Sequence, residues 1–205
     1  MHEEHMAKAV KVRLAGEHYT DIHLWQTANY LLEIGVRRKN GGFHPLLASS
    51  VFALFAFEAF LNEVGRQLDS EVWSREREFF STGTYRGTLG KLRYLAEKTD
   101  FAYRLDVRPF QTIRALATVR DTLAHGRTEA FDVETTVTRA ESLHQAPKLR
   151  QWGQVLFARR AVADIEQIAD GLMAAAKTKF GEWAAGYRSS AFYGAQGVRS
   201  THLLD

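Results

Sequence analysis

The chain contains no cysteine, which excludes disulfides and thiolate metal sites outright. Only three of its 205 residues are proline, so little in the backbone interrupts long helices. Charge of one sign is also scarce: 27 Lys and Arg oppose 24 Asp and Glu, leaving a formal net charge of +3. A protein that coats duplex nucleic acid carries far more positive charge, whereas a local phosphate contact does not require it. There is no internal repeat, no low-complexity tract and no phosphate-cradling loop. Gly83, Gly87 and Gly90 lack a P-loop's spacing and its Gly-Lys-Ser/Thr end.

Long hydrophobic runs are missing as well. The longest candidate, Val51 to Leu61, already contains Glu58 and falls short of the roughly 20 residues that a membrane span needs. The first residues, Met1-His2-Glu3-Glu4-His5-Met6, are acidic where a secretory signal is basic. These readings predict a cytoplasmic protein with no membrane partner. His2, Glu3, Glu4 and His5 are metal-ligand types, but a zinc-protease helix needs histidines four apart and a third ligand. Here the histidines are three apart. No metal and no cofactor are expected.

What is present is the balance of an ordinary globular domain, 45% hydrophobic and 25% charged. Apolar residues recur at helical spacing through most of the chain. A short helix is expected over residues 6–15. A second begins near Thr20 or Asp21, either of which can cap it. This helix carries Ile22, Trp25, Ala28, Asn29 and Leu32, and ends at Arg37-Arg38-Lys39, followed by Asn40-Gly41-Gly42. The element from Pro45 to Leu68 is apolar on nearly every side between Val51 and Leu61, as a helix surrounded by others must be.

Residues 71–87 read as a loop with one helical turn, and residues 88–98 as a short helix using Leu89, Leu92 and Leu95. Helices follow over 106–124 and 155–183, separated by a non-helical excursion at 127–150. The expected fold is an all-α bundle of about five principal helices. A single domain would cover 1–184, with residues 185–205 as a C-terminal tail, flexible or held by a partner.

Within the helix over 106–124, Ile113, Leu116, Ala117, Leu123 and Ala124 fall within about 60° of Arg120 at 100° per residue. Arg120 is thus expected to project from a buried stripe, which is costly unless its guanidinium meets a carboxylate, a phosphate or a cleft. His125 would point about 140° away on a regular helix. Gly126 can take the left-handed conformation that ends a helix, so a loosened last turn, or a symmetric dimer interface, can bring His125 and Arg120 together. Asp121 can brace either side chain.

The segment Arg120-Asp121-Thr122-Leu123-Ala124-His125-Gly126 resembles the Arg-polar-x3-His motif of HEPN domains. Phe57-Glu58-Ala59-Phe60-Leu61-Asn62 is similar to the central helix of many HEPN proteins, where a polar residue faces the site. The resemblance spans roughly residues 20–180, and its specific part is these two stretches. It implies a metal-independent endoribonuclease that acts as a homodimer with the motif at the interface, plausible as a toxin with a cognate antitoxin or as an anti-phage effector.

By that resemblance His125 acts as general acid or base, and histidine's ordinary titration near pH 6.5 suits the role. Arg120 holds the scissile phosphate of RNA, and Asp121 supports them, with Glu58 and Asn62 behind. The products are a 2′,3′-cyclic phosphate and a 5′-hydroxyl. The excursion and the tail match nothing in the family pattern.

Plainer readings stand beside these. Glu58 can be only a structural partner for a buried arginine, and His125 a helix-terminal cation favourable to the dipole. Arg37, Arg38 and Lys39 read as a solvated helix end or as RNA-backbone contacts. The alternative for the whole chain is a non-catalytic HEPN-like bundle that binds a partner protein or a nucleotide.

Overall fold

A computed structural model of the protein describes residues 11–15, 19–38, 40–126, 151–181, 191–192 and 200–204. The fold is an all-α helical bundle. Among the described residues five principal helices build it: α1 (Thr20–Arg37), α2 (Phe43–Leu68), α5 (Gly87–Thr99), α6 (Phe110–Ala124) and α7 (Val155–Phe180). Two short helices, α3 (Ser70–Ser74) and α4 (Glu76–Phe79), fill the segment expected as a loop. Residues 127–150, where the excursion was expected, lie outside the described residues.

The α2 helix is the centre of the bundle, packed against α1, α3, α5, α6 and α7. Its sequence explains that position. Ala53, Leu54, Ala56, Phe57, Phe60 and Leu61 point in several directions and are all buried, each large apolar side chain contributing about 1.5–3 kcal/mol by leaving water. The α1 and α2 helices form an antiparallel hairpin around the break at Gly41 and Gly42. Ser49 Oγ donates to the Ala28 carbonyl at 2.8 Å across it. A Cβ at Gly35 would lie 2.5 Å from Leu46, so the glycine lets the two helices close on each other.

The α2 helix also corrects one expectation from the sequence. An 18-residue window of Phe43–Leu68 reaches a mean hydropathy of 1.5, and the helix is long and apolar enough to cross a membrane. Half of that window is buried among the other helices, which is the pattern of a bundle's core helix.

Other elements depart from the sequence reading at their ends. Residues 11–15 form not a helix but a strand, β1 (Lys11–Ala15), which pairs antiparallel with β2 (Ser200–Leu204) in the register Lys11↔Leu204 to Ala15↔Ser200. Neither Thr20 nor Asp21 caps α1, since the N-cap is Tyr19 and no side-chain cap bond forms. The α6 helix starts at Phe110 rather than 106, and Val107, which falls before that start, is exposed.

The segment expected as a loose tail supplies part of the core. Ala191 and Phe192 are buried, and Phe192 stacks on Trp25 with ring centroids 4.2 Å apart at 12°. Phe192 also meets Phe60 at 5.5 Å, and the Ala191 N–H donates to Asp170 Oδ1 at 2.8 Å. The bundle is therefore completed by residues beyond the boundary at 184.

A polar cluster fixes α3 against α5. Asp69 accepts a hydrogen bond from the Val72 N–H at 3.2 Å and so caps α3. Its other oxygen accepts from Tyr94 at 2.6 Å and pairs with Lys98. Hydrogen bonds from Lys98 and Tyr94 hold the Asp69 carboxyl below its ordinary range. Burial, together with the Asp69 charge, pushes the Tyr94 phenol upward. The cap seats Trp73, whose ring packs on Gly65 of α2 so closely that a Cβ there would lie 2.0 Å from it.

Candidate functional site

Two helices of different spacing are matched side by side at the site. Glu58 and Asn62 are one turn apart on α2, and Thr88 and Lys91 are three apart on α5, so each pair shares a face. They meet rung by rung. The Thr88 hydroxyl donates to Glu58 Oε1, and Lys91 Nζ donates to Asn62 Oδ1 at 2.8 Å. Lys91 also pairs with Glu76 of α4 and sits 5.7 Å from the centre of the Phe80 ring.

The third helix, α6, brings Arg120 to this ladder. Its Nη1 lies 3.5 Å from Glu58 Oε1. Its Nε lies 2.9 Å from Asp121 Oδ1, an ion-pair distance at which the N–H is out of line with the oxygen. That Nε is buried and has no hydrogen-bond acceptor among the described residues. The side chain as a whole is 34% exposed, which decides an important point: Arg120 is not sealed in the core. It lines an open cleft of about 370 Å³ with Glu58, Asn62, Thr88, Lys91 and Arg77.

The expectation that Arg120 lies in mid-stripe is corrected by the same geometry. The buried face of α6 is Phe110, Thr112, Ile113, Leu116 and Val119. Leu123 and Ala124 are exposed, so the apolar stripe stops one turn before the helix does. Arg120 therefore flanks the stripe at its end, where a charged head can reach solvent.

His125 is the C-cap of α6, with its N–H on the Asp121 carbonyl at 3.1 Å. Gly126 follows at φ 57°, the left-handed turn its position in the sequence suggested. The imidazole is exposed. It is not among the residues lining the Arg120 cleft. Within one copy of the chain, the end of α6 does not carry His125 into that cleft.

The remaining sequence candidates separate in the same way. Asn62 and Glu58 join Arg120, and Asp121 is beside it, mostly exposed. Arg37 pairs with Glu33 on α1 and lines a different groove, with Tyr30, Val36 and Arg159. Arg38 is exposed at the C-cap of α1, while Lys39 and the His2–His5 group lie outside the described residues. Sequence reasoning did not pick out Thr88, Lys91 or Glu76. The signal was present in part, as polar residues at i and i+3 opening the helix that carries Leu89, Leu92 and Leu95, but their partners lie about 30 residues away.

The arrangement offers a guanidinium, an ammonium and an amide around an open cleft, with carboxylates behind them. Such a set can hold a phosphate against Arg120 while Glu58 restrains the arginine. No family model matches the chain, and neither a curated protein nor a solved structure matches it.

Proposed function

We propose that the protein is a metal-independent endoribonuclease of HEPN type that uses Arg120 and His125. The observation that carries this reading is the opening of Arg120 onto a polar cleft, with its charge restrained by Glu58. The exposed His125 at the end of the same helix supports it.

In the reaction His125 removes the proton of the ribose 2′-hydroxyl, and the 2′-oxygen attacks phosphorus. The bond from phosphorus to the 5′-oxygen breaks, and that oxygen takes up a proton. The products are a 2′,3′-cyclic phosphate and a 5′-hydroxyl. Arg120 neutralises the charge that builds on the phosphoryl oxygens. Because His125 stands outside the cleft of its own copy, the site is completed by a second copy of the chain, whose His125 faces the phosphate held by Arg120. The biological role that fits such an enzyme is a toxin or an anti-phage effector acting in the cytoplasm.

The test is incubation of the full chain with mixed RNAs in EDTA, followed by mapping of the ends. Cleavage that resists EDTA, leaves cyclic phosphate and disappears with Arg120→Ala is the expected result. Intact RNA under every condition overturns the reading.

A second reading draws on the Arg120–Glu58 contact itself, which is also what a scaffold pair looks like. In it the bundle is non-catalytic and uses the cleft to bind a nucleotide or a partner protein. Under this reading Arg120→Ala lowers stability and leaves RNA untouched.

A further inference from the structure

The groove that Arg37 lines has no part in the chemistry at Arg120. It lies between α1 and α7, with Tyr30, Leu32 and Val36 on the first helix beside Arg37, and Arg159 on the second. Its volume is about 580 Å³, and it shares no lining residue with the Arg120 cleft.

Its aromatic wall is unlike the rest of the surface. Four large aromatic side chains are exposed among the described residues, Tyr30, Phe55, Phe79 and Phe180. Three of them have company. Phe55 meets Phe52 edge-on, Phe79 stacks on Tyr85, and Lys179 stands over Phe180. Tyr30 is 64% exposed, the most open of the four, and no ring or cation lies against it among the described residues. A bare aromatic face of this kind is free to stack on another flat ring.

The charge around the groove is one-sided. Residues 29–38 of α1 and 155–163 of α7 hold Arg37, Arg38, Arg159 and Arg160 against one acid, Glu33. All four arginines are exposed. In the whole chain cations barely outnumber acids, 27 to 24, so the excess here is a local feature. Tyr30, Glu33 and Arg37 recur at helical spacing and share a face of α1. Glu33 pairs with Arg37, but an ion pair this exposed is worth little and yields readily to a phosphate. Arg38, Arg159 and Arg160 have no acid partner among the described residues.

We propose that this groove binds single-stranded RNA away from the point of cleavage, with a base stacked on Tyr30 and the neighbouring phosphates on Arg37 and Arg159. The proposal takes its ligand from the ribonuclease reading. A basic groove with an open aromatic ring is the usual design for holding an unpaired strand without regard to sequence. A duplex keeps its base faces stacked on one another and has none to offer Tyr30. An acidic peptide matches the arginines but not the ring. Because the groove and the cleft have no residue in common, the groove contributes to holding the substrate and leaves the chemical step alone.

The experiment is fluorescence anisotropy of the full chain with a labelled single-stranded 2′-deoxy oligonucleotide of mixed sequence. That strand has bases and phosphates but no 2′-hydroxyl, so binding is read without cleavage. Each variant is also measured in the Arg120→Ala chain, where the cleft does not mask the groove. Tyr30→Ala should weaken binding by about 5-fold or more, the lower end for one base–aromatic stack. Tyr30→Phe, which keeps the ring, should bind as wild type does. Arg159→Gln should reduce the slope of log affinity against log salt by about 0.7, the loss of one phosphate contact.

No binding of the oligonucleotide, wild-type affinity in Tyr30→Ala, or equal losses in Tyr30→Ala and Tyr30→Phe overturns the proposal. Displacement of the oligonucleotide by polyglutamate at equal charge concentration also overturns it, in favour of an acidic partner. So does a dimer that Tyr30→Ala dissolves in sedimentation, since a second copy would then fill the groove. RNA cleavage by the same preparations separates this proposal from the ribonuclease reading. Cleavage with Tyr30-independent binding contradicts the groove alone, and Tyr30-dependent binding without cleavage supports the groove and contradicts the ribonuclease. Where both hold, Tyr30→Ala raises KM on RNA and leaves kcat unchanged.

Discussion

Arg120 Nη1 stands 3.5 Å from Glu58 Oε1 where α6 crosses α2, and the Thr88 hydroxyl donates to that same oxygen. One carboxylate oxygen thus serves a buried hydroxyl and a guanidinium that is a third exposed. Thr88 fixes Glu58, and Glu58 in turn sets where the arginine can be.

A half-solvated pair of this kind contributes little to stability, about 0–1 kcal/mol. Arg120→Ala should therefore lower the melting temperature by no more than about 2–4 °C, as read by calorimetry. A loss above about 3 kcal/mol would put Arg120 in the core's support and favour the scaffold reading.

Gly65 presents a sharper case. Alanine is favoured over glycine inside a helix by about 1 kcal/mol, but a Cβ at this position would lie 2.0 Å from the Trp73 ring. Gly65→Ala should cost a net ~1–3 kcal/mol by displacing that ring, seen as a lower denaturation midpoint and a change in tryptophan fluorescence. An unchanged midpoint would contradict the packing of the Trp73 ring on Gly65.

The cap of α3 has a defined pH dependence. Lys98 and Tyr94 depress the Asp69 carboxyl in the folded state. The group therefore binds its proton more readily when unfolded, and its stabilising effect is complete above the ordinary carboxylate range, at about pH 4. It is lost as pH falls below that range, through the folded value. Asp69→Asn should be less stable than wild type at neutral pH, and the two unfolding curves should converge under acid conditions. Divergence as pH falls would contradict the assignment.

The core beyond residue 184 is equally open to test. Phe192 is buried against Trp25 and Phe60, and Phe192→Ala should cost about 3–5 kcal/mol. A chain shortened at residue 184 would expose the Trp25 ring and should unfold at much lower denaturant. Wild-type stability in either variant would show that this segment is the dispensable tail its composition suggested.

That segment marks where sequence reading stops. The α2 helix was legible because its apolar residues face several directions, which only a central helix permits. The end of α6 was legible from Gly126. Phe192 was not, since a lone aromatic among serines and glycines has no period, and its partners lie on helices formed more than 120 residues earlier. Arg120 and Glu58 could be paired from type and helix position. Lys91 and Thr88 could not, because their meaning arises only when α5 is laid beside α2. The sequence also suggested that the end of α6 could turn His125 back toward Arg120, and the helix instead keeps its regular course to Ala124.

The central claim, that Arg120 and His125 act together on RNA, is tested most directly by cleavage kinetics in EDTA for wild type, Arg120→Ala, His125→Ala and the double variant. Residues that work as one unit show strongly non-additive losses. The account predicts that each single substitution lowers kcat/KM by about 100-fold or more and that the double variant is little worse than the poorer single. Cleavage by His125→Ala at the wild-type rate, or no cleavage by wild type on any RNA, would contradict it.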